Sequence, residues 1–316
     1  NISGYYSWRV QFVDIFGNKG KASAPNPAHR VPHESEFSVG TWGAVFPTVY
    51  WTPPVADSHI LGVIVGRSTN QHLDDPTPGS DLVMFIEHAQ SNVTQSRFTS
   101  NAGDDTLANL SAMDILVGPP PTSQMGCSFG GRIFLVSMNQ NRVYFSDSTY
   151  FGQFRETSSI NPYSNVTALV PAGDRMFVIG EQSTEVYYIK VASDGTEVVS
   201  LLEQDIHNGS DWGKSFASVG DGVVFGLWNN GFGFFDGVNH KYVQEPYWVR
   251  DIYLDNDSHR HSAIAVGDWY YLTIRRGFKS ADNDTILMYN MQTDNWYIIE
   301  DSINDLAYWN GEILGV

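Results

Sequence analysis

The chain has 316 residues and a formal net charge of −17, because 35 acidic side chains outnumber 18 basic ones. Affinity for nucleic-acid phosphates comes mainly from Lys and Arg, so this balance argues against a protein that reads nucleic-acid sequence. Aromatic residues make up 14% of the chain and glycine occupies 29 positions, a composition that predicts an all-β fold. Cys127 is the single cysteine, which excludes an internal disulfide and suits synthesis in a reducing cytosol.

Residues 5–25 predict a β-hairpin, since apolar side chains alternate with polar ones before a turn at residues 16–20. A strand of this pattern, followed by a polar turn and a short edge strand, is typical of the last hairpin of an immunoglobulin-like or fibronectin type III-like module. We assign this partial module to residues 1–30. The apolar residues that would share one face of its first strand are Tyr6, Trp8, Val10 and Phe12.

Residues 40–112 predict a second module of the same kind. Trp51 is expected to pack between its two sheets, as a tryptophan often does in such modules. Residues 113–128 contain three consecutive prolines and therefore predict a semi-rigid linker. The strands of the second module are expected at residues 47–54, 60–67, 85–88 and 95–98.

Residues 129–316 contain a repeat in which a glycine-centred turn precedes an apolar strand. The intervals between successive turn glycines are 42, 47, 47 and 44 residues. Repeats of about 40–50 residues with several strands each are typical of β-propeller blades. A non-repetitive β-sandwich with coincidental turns is the alternative. The turn glycines are Gly131, Gly173, Gly220, Gly267 and Gly311.

The repeat also predicts individual strands and their burial. Because the chain begins with Asn1 and its last repeat, WNGEILGV, looks like a blade cut after its first strand, we expect a piece of a longer chain.

In residues 269–273, both faces of the strand would be covered by neighbouring blades. The substitution Tyr271→Ala should then lower the free energy of unfolding by about 3–5 kcal/mol. Strands are expected at residues 132–137, 142–147, 175–180, 185–190, 223–228 and 232–236.

The start of the repeat region carries a more specific motif. After the prolines, a Gly-Gly-Arg turn at residues 130–132 leads into an apolar strand. The sequence NRVYFSD at residues 141–147 then leads to YFGQF at residues 150–154. Over about residues 115–316 this order resembles the tail nozzle (tail tubular protein B-like) family of short-tailed phages. The chain departs from the family pattern because it lacks a Pro-Glu pair before Phe154.

The resemblance implies a structural virion protein of the phage tail, assembled in the host cytoplasm, with its propeller in the wall of a tube. Copies of the chain would form a cyclic homo-oligomeric ring, with the tail adaptor or portal and the tail fibre proteins as further partners. DNA would be ejected through this ring without sequence-specific binding, which an acidic surface favours. No apolar run approaches the roughly 18 residues of a membrane-spanning helix, so no membrane segment is predicted.

We nominate no catalytic, cofactor-binding or metal-ligating residue, expect no cofactor, and predict that the protein is not an enzyme. Adjacent side chains of a strand point to opposite faces, so neighbouring carboxylates do not make an acid–base pair by themselves. The acidic loops at residues 255–257 and 282–284 lack the glycine and glutamate of an EF-hand loop. His259 and His261 lack a third ligand at zinc spacing. The adjacent carboxylates are Asp74 with Asp75, Asp104 with Asp105, and Glu300 with Asp301.

A propeller that binds or cleaves carbohydrate is the alternative function. Exposed aromatic rings in the repeat region would favour it, although most tryptophans of propellers are buried within or between blades. The tryptophans in question are Trp228, Trp248, Trp269, Trp296 and Trp309.

Overall fold

The computed structural model describes residues 4–26, 29–31, 46–52, 59–69, 83–91, 96–114, 117–139, 141–210, 213–219, 223–228, 231–243, 246, 261–275 and 283–315. The fold is all-β. Within these ranges the ordered elements other than strands are the short helix α1 (Asp104–Leu107) and a 3-10 turn at Gly213–Ser215. The chain forms two compact units, Asn1–Pro120 with Ser146–Ser158 and Pro121–Phe145 with Ser159–Val316.

The strands of the described ranges are numbered in chain order. Up to residue 120 they are β1 (Gly4–Tyr6), β2 (Trp8–Asp14), β3 (His29–Val31), β4 (Thr48–Tyr50), β5 (Ile60–Ser68), β6 (Met84–Gln90), β7 (Arg97–Thr99) and β8 (Val117–Gly118). From residue 121 to residue 219 they are β9 (Ser123–Phe129), β10 (Arg132–Ser137), β11 (Val143–Ser146), β12 (Phe154–Ile160), β13 (Val166–Ala172), β14 (Arg175–Gly180), β15 (Thr184–Val191), β16 (Glu197–Asp205) and β17 (Ala217–Val219). The remaining strands are β18 (Val223–Trp228), β19 (Gly231–Phe235), β20 (His240–Val243), β21 (Ser262–Val266), β22 (Trp269–Ile274), β23 (Thr285–Asn290), β24 (Asn295–Glu300), β25 (Leu306–Trp309) and β26 (Glu312–Gly315).

In the first unit, one antiparallel sheet has the strand order β2–β5–β6. The register of β2 against β5 places Val10 opposite Val65. The sequence assigns these strands to separate modules, at residues 1–30 and 40–112, whereas the structure joins them in one sheet. The reason is burial: the apolar residues of β2 share a core cluster with Val63 and Val65 of β5, so each strand covers apolar surface of the other.

Two further strand pairs of the first unit are β4 with β7 and β1 with β3. Trp51, which follows β4, is buried in the same cluster as the apolar residues of β2 and β5. Val49 of β4 and Phe98 of β7 pack against that cluster. The tryptophan therefore lies between strands of two sheets, as the sequence predicts.

Residues 113–128 contain two strands, β8 and most of β9, where the sequence predicts a linker. β8 pairs with β12, which places Gly118 opposite Phe154 and Val117 opposite Arg155. This pairing satisfies backbone groups that a solvated linker would leave to water. No helix of the described residues is long and apolar enough to cross a membrane.

The second unit is a succession of antiparallel sheets. Strands β9, β10 and β11 pair in chain order, three four-stranded sheets follow as β13–β16, β17–β20 and β21–β24, and the hairpin β25–β26 comes last. The six strand predictions of this region are confirmed, since each agrees with the observed bounds to within one residue.

The repeated glycine marks the turn between the first and second strands of a sheet. Gly131, Gly173, Gly267 and Gly311 have φ values of 71°, 58°, 58° and 90°, a conformation that a residue without a Cβ adopts readily. Gly220 lies outside the described residues. Because Gly311 lies between β25 and β26, the last repeat has two strands and not the single strand that the sequence predicts.

Apolar clusters fill the spaces between successive sheets. Met176 and Val178 of β14 share a cluster with residues of β10 and β11, whereas Phe177 and Ile179 share the next cluster with Phe235 of β19. Both faces of β14 are therefore buried between neighbouring sheets. The first strands of successive sheets also contact one another: β9 with β13, β13 with β17, β17 with β21, and β21 with β25.

Candidate assembly surface

The fourth strand of each complete sheet in the second unit has one edge that no strand of the described residues covers. These outer strands, β16, β20 and β24, nevertheless carry exposed apolar side chains. A row of exposed apolar residues beside an open strand edge is a common basis for contact with another protein. We call these side chains the outer-strand surface: Val198, Leu201, Leu202, Tyr242, Tyr297, Ile298 and Ile299.

β16 carries the largest part of this surface. It pairs with β15 over its whole length, and the register shifts by one residue at Leu202, where β16 has a bulge. Leu201 and Leu202 are 48% and 44% exposed. Three acidic residues, Glu197, Glu203 and Asp205, lie on the same strand. A bulge and charged side chains both oppose the addition of a further strand at an edge, so contacts here would use side chains more than backbone.

One end of β16 is held by an ion pair inside the second unit. The Nη2 atom of Arg132 donates a hydrogen bond to Oε2 of Glu197 at 3.1 Å. The guanidinium of Arg132 also lies over the ring of Phe145, 5.8 Å from its centre. Arg132 therefore fixes the start of the outer strand against the sheet β9–β11.

β24 shows how a buried and an exposed surface meet on one strand. The indole of Trp296 is buried, with ring centres 4.6 Å from Phe232 and 4.8 Å from Tyr289. Tyr297 and Ile299, which point to the opposite face of the strand, are exposed. The inner face of β24 thus anchors the sheet, and its outer face remains available for contact.

Two of the three carboxylate pairs noted in the sequence lie in the described part of the chain, one in each unit. Asp104 and Asp105 begin helix α1, and Oδ1 of Asp104 lies 3.6 Å from Nη2 of Arg67. Glu300 ends β24, Asp301 follows it, and both side chains are exposed. Asp74 and Asp75 lie outside the described residues.

The candidate metal ligands are only partly described. His261 is buried, and its Nδ1 lies 3.2 Å from the carbonyl oxygen of Thr273. Asp284 precedes β23 and donates its backbone N–H to Ile274. His259, residues 255–257 and Asp282 lie outside the described part of the chain. Within that part, no three His, Cys, Asp or Glu side chains are close enough to hold a metal ion.

The tryptophans considered for carbohydrate stacking differ in exposure. Trp296 is buried, Trp269 is half-buried, and Trp309 of β25 is 73% exposed. The side chain of Trp228 and the whole of Trp248 lie outside what the structure describes. Among the described tryptophans of the repeat region, Trp309 alone therefore presents an open ring.

A buried carboxylate in the second unit escapes sequence reasoning. Glu185 is 2% exposed and accepts hydrogen bonds from the backbone N–H of Tyr163 and the hydroxyl of Tyr187, each at 2.5 Å. Burial first, and then the hydrogen bond and charge of Glu185, raise the pKa of Tyr187. Glu185 and Tyr187 are two residues apart on β15, which places them on one face of the strand. No sequence motif signals this pair.

A second buried polar group lies in the first unit. The guanidinium of Arg67 is fully buried, with Nη1 3.7 Å from Oε1 of Glu87 and 3.2 Å from Oγ of Ser100. Its central carbon lies 4.8 Å from the ring centre of Tyr6. Glu87 also accepts hydrogen bonds from the Ser100 hydroxyl and from two backbone N–H groups. The cluster joins β5, β6 and the segment after β7.

Comparison with known proteins adds little to this picture. No protein-family model matches the chain, and no curated protein matches it. Among solved structures, Hsv2 of Kluyveromyces marxianus is 9% identical, with a TM-score of 0.29 over 77% of this chain and 59% of that one. KlHsv2 with its loop 6CD replaced by a Gly-Ser linker is 10% identical, with a TM-score of 0.30 over 77% of this chain and 60% of that one. TM-scores below 0.5 do not establish a shared fold, so the architecture rests on the strand pairing itself.

Proposed function

We propose that the chain is a structural protein of a phage tail nozzle, in which several copies form a ring through which DNA is ejected. The resemblance of residues 130–154 to the nozzle family supports this assignment. The residues of that motif serve structural roles: Phe154 is buried, and Asp147 accepts hydrogen bonds from two backbone N–H groups of the following turn. A motif of packing and turn residues is what a structural protein needs.

In this proposal the second unit is a β-propeller. Four-stranded antiparallel sheets that follow one another in the chain, with their first strands in mutual contact and apolar clusters between them, are the parts of such a fold. The first unit is an immunoglobulin-like or fibronectin type III-like module. Its support is Trp51, which is buried among strands of two sheets.

The observation that carries the assembly is the outer-strand surface. A soluble protein seldom exposes several apolar side chains on successive strands unless they form a contact. A ring of identical copies uses one surface of each copy against a different surface of the next, which the rotation closes. The outer strands provide apolar side chains for such a contact, and the net charge of −17 disfavours retention of the DNA that passes through.

The experiment is a measurement of oligomeric state with a variant of the outer-strand surface. The wild-type chain is examined by mass photometry and by negative-stain electron microscopy, together with Leu201→Lys of β16. The matched control is Val238→Lys, because Val238 is 64% exposed in the turn before β20 and is not one of the side chains that form the outer-strand surface.

We expect ring-shaped particles for the wild type and for Val238→Lys, and loss of rings for Leu201→Lys. A wild-type chain that stays monomeric at micromolar concentration would contradict the ring. Rings that survive in Leu201→Lys would show that copies contact one another elsewhere.

A further inference from the structure

A groove of about 450 Å³ opens on the first unit. Its floor includes Trp8, which is 6% exposed and whose indole Nε1 has no hydrogen-bond partner among the described residues. A buried polar hydrogen without a partner is uncommon, because its desolvation is not compensated. We call this feature the strand groove, and its lining is Trp8, Val10, Ser23, Ala24, Asn26, Pro47, Thr48, Val49 and Tyr50.

One wall of the strand groove is the open edge of β4. The N–H of Trp51 bonds to Ser96 and the carbonyl of Pro47 accepts from Ser100, so the odd-numbered residues of this stretch face β7. In an antiparallel pair the residues between them turn their backbone groups to the other side. The N–H and C=O groups of Thr48 and Tyr50 therefore point away from β7. Within the described ranges they make no backbone hydrogen bond.

The opposite wall is the segment at residues 23–26, which lies along β2. The N–H of Ser23 bonds to Val10, and the N–H of Asn26 bonds to Trp8. Residues 21–26 form no strand, and Ala24 lies between the two residues whose N–H groups bond to β2. The described residues give Ala24 no backbone hydrogen bond. Both walls thus offer unpaired backbone groups, and the floor between them is apolar.

We propose that the strand groove binds an extended peptide segment of a partner protein, which adds a third strand to the β4–β7 pair. Backbone groups that alternate along β4 are complementary to an extended chain, and this mode of recognition takes its affinity from main-chain hydrogen bonds. A two-stranded ribbon is marginally stable by itself, so a third strand also stabilises β4 and β7.

The lining also specifies the side chains of the occupant. No charged residue belongs to it. A charged side chain that faced Trp8 and Val10 would lose its water without gaining a counter-ion. The bound segment therefore has uncharged, apolar residues at the alternate positions that face the floor. A carbonyl or hydroxyl oxygen of the segment is the natural partner for the indole N–H of Trp8.

The test uses a synthetic strand and a pair of matched proline variants. The probe is a fluorescein-labelled peptide, acetyl-Lys-Thr-Val-Thr-Val-Thr-Lys-amide, titrated with the full chain by fluorescence anisotropy. Thr48→Pro removes the N–H that faces the groove. Thr99→Pro is the control, because Thr99 lies directly opposite Thr48 and its N–H faces the far edge of β7. The two hydroxyls lie 3.4 Å apart, so each variant loses the same side-chain contact.

We expect the wild type and Thr99→Pro to bind the probe equally, and Thr48→Pro to bind it about tenfold more weakly, since one main-chain hydrogen bond is lost. The same peptide with its five central amide nitrogens methylated should not bind. Circular dichroism checks that both variants keep the strand content of the wild type. Absence of binding to the wild type at millimolar peptide, or equal binding by Thr48→Pro and Thr99→Pro, would overturn the proposal. Neither outcome bears on the ring, which is tested through β16.

Discussion

Two adjacent tyrosines of β22 test the packing of the second unit. Tyr270 is 0% exposed, its hydroxyl donates a hydrogen bond to the carbonyl oxygen of Ser215 at 2.5 Å, and its ring stands edge-on to Phe232 with centres 6.3 Å apart. Tyr271 points to the other face of the strand and is half-buried, with its ring centre 6.4 Å from that of Trp269. The substitutions Tyr270→Ala and Tyr271→Ala therefore remove the same atoms from two different environments.

The two variants should differ in their free energy of unfolding. Tyr270→Ala leaves a cavity between the sheets β17–β20 and β21–β24, and such truncations lower stability by about 3–5 kcal/mol. Tyr271→Ala removes a ring that solvent already reaches, and we expect a loss of about 1–2 kcal/mol. This is less than the sequence predicts for Tyr271, because on that side the chain supplies a hairpin, β25–β26, in place of a complete sheet.

The measurement is denaturant-induced unfolding of the wild type and both variants, followed by tryptophan fluorescence and circular dichroism. Tyr270→Phe is the control for the hydroxyl, and it should lose about 1–2 kcal/mol through the hydrogen bond to Ser215. If Tyr271→Ala destabilises the protein as much as Tyr270→Ala, the second face of β22 is as well covered as the first. That result would contradict the argument that the hairpin β25–β26 covers this face less than a complete sheet does.

Three further predictions follow from particular side chains. Arg67→Met leaves Glu87 buried without its cation and should lower the free energy of unfolding by about 3 kcal/mol. The double variant Arg67→Met/Glu87→Gln should lose less, because no charge is then left buried. Thermal unfolding measures both variants, and equal losses would show that the pair is not coupled. Burial raises the pKa of the Cys127 thiol from 9.0 to about 11. Alkylation of Cys127 at pH 8 should therefore be about 100-fold slower in the folded protein than in the unfolded chain. The contribution of the protonated thiol to the free energy of unfolding is complete below pH 9 and should be lost as the pH rises through 11. The free protein should not retain duplex DNA in a gel-shift assay at near-physiological salt, and micromolar or tighter binding would contradict the charge argument.

Six strands of the second unit could be predicted from the sequence because the turns of the repeat leave a local mark. A hairpin turn that needs a positive φ selects glycine, and Gly173 and Gly267 each stand directly before an apolar strand. β16 was not predicted, for the opposite reason. Its side chains are exposed on both sides, so no alternation of apolar and polar residues distinguishes Leu201 from Leu202.

The polar clusters and the strand groove could not be predicted, because they depend on residues far apart in the chain. Arg67 reads as an ordinary charged residue until Glu87 and Ser100 are brought to it by the pairing of β5 with β6 and by the segment after β7. The two walls of the groove, at Ala24 and at Thr48, are far apart in the chain and line one groove only in the folded first unit. Single-sequence patterns describe one element at a time, and they assign β2 and β5 to separate modules.

The two proposed contact surfaces should respond differently to salt. β16 carries Glu197, Glu203 and Asp205, so copies of an acidic chain that approach one another through it repel each other, and added salt screens that repulsion. The strand groove has no charged lining residue, and its binding uses main-chain hydrogen bonds. Raising sodium chloride from about 50 mM to about 300 mM shortens the Debye length more than twofold and should therefore increase the fraction of rings. The dissociation constant of the probe peptide should change by less than about twofold over the same range, since its recognition does not depend on charge. Mass photometry and anisotropy at the two salt concentrations measure both quantities. Rings that dissociate as salt rises would show that ion pairs, and not the apolar side chains of the outer strands, hold the copies together.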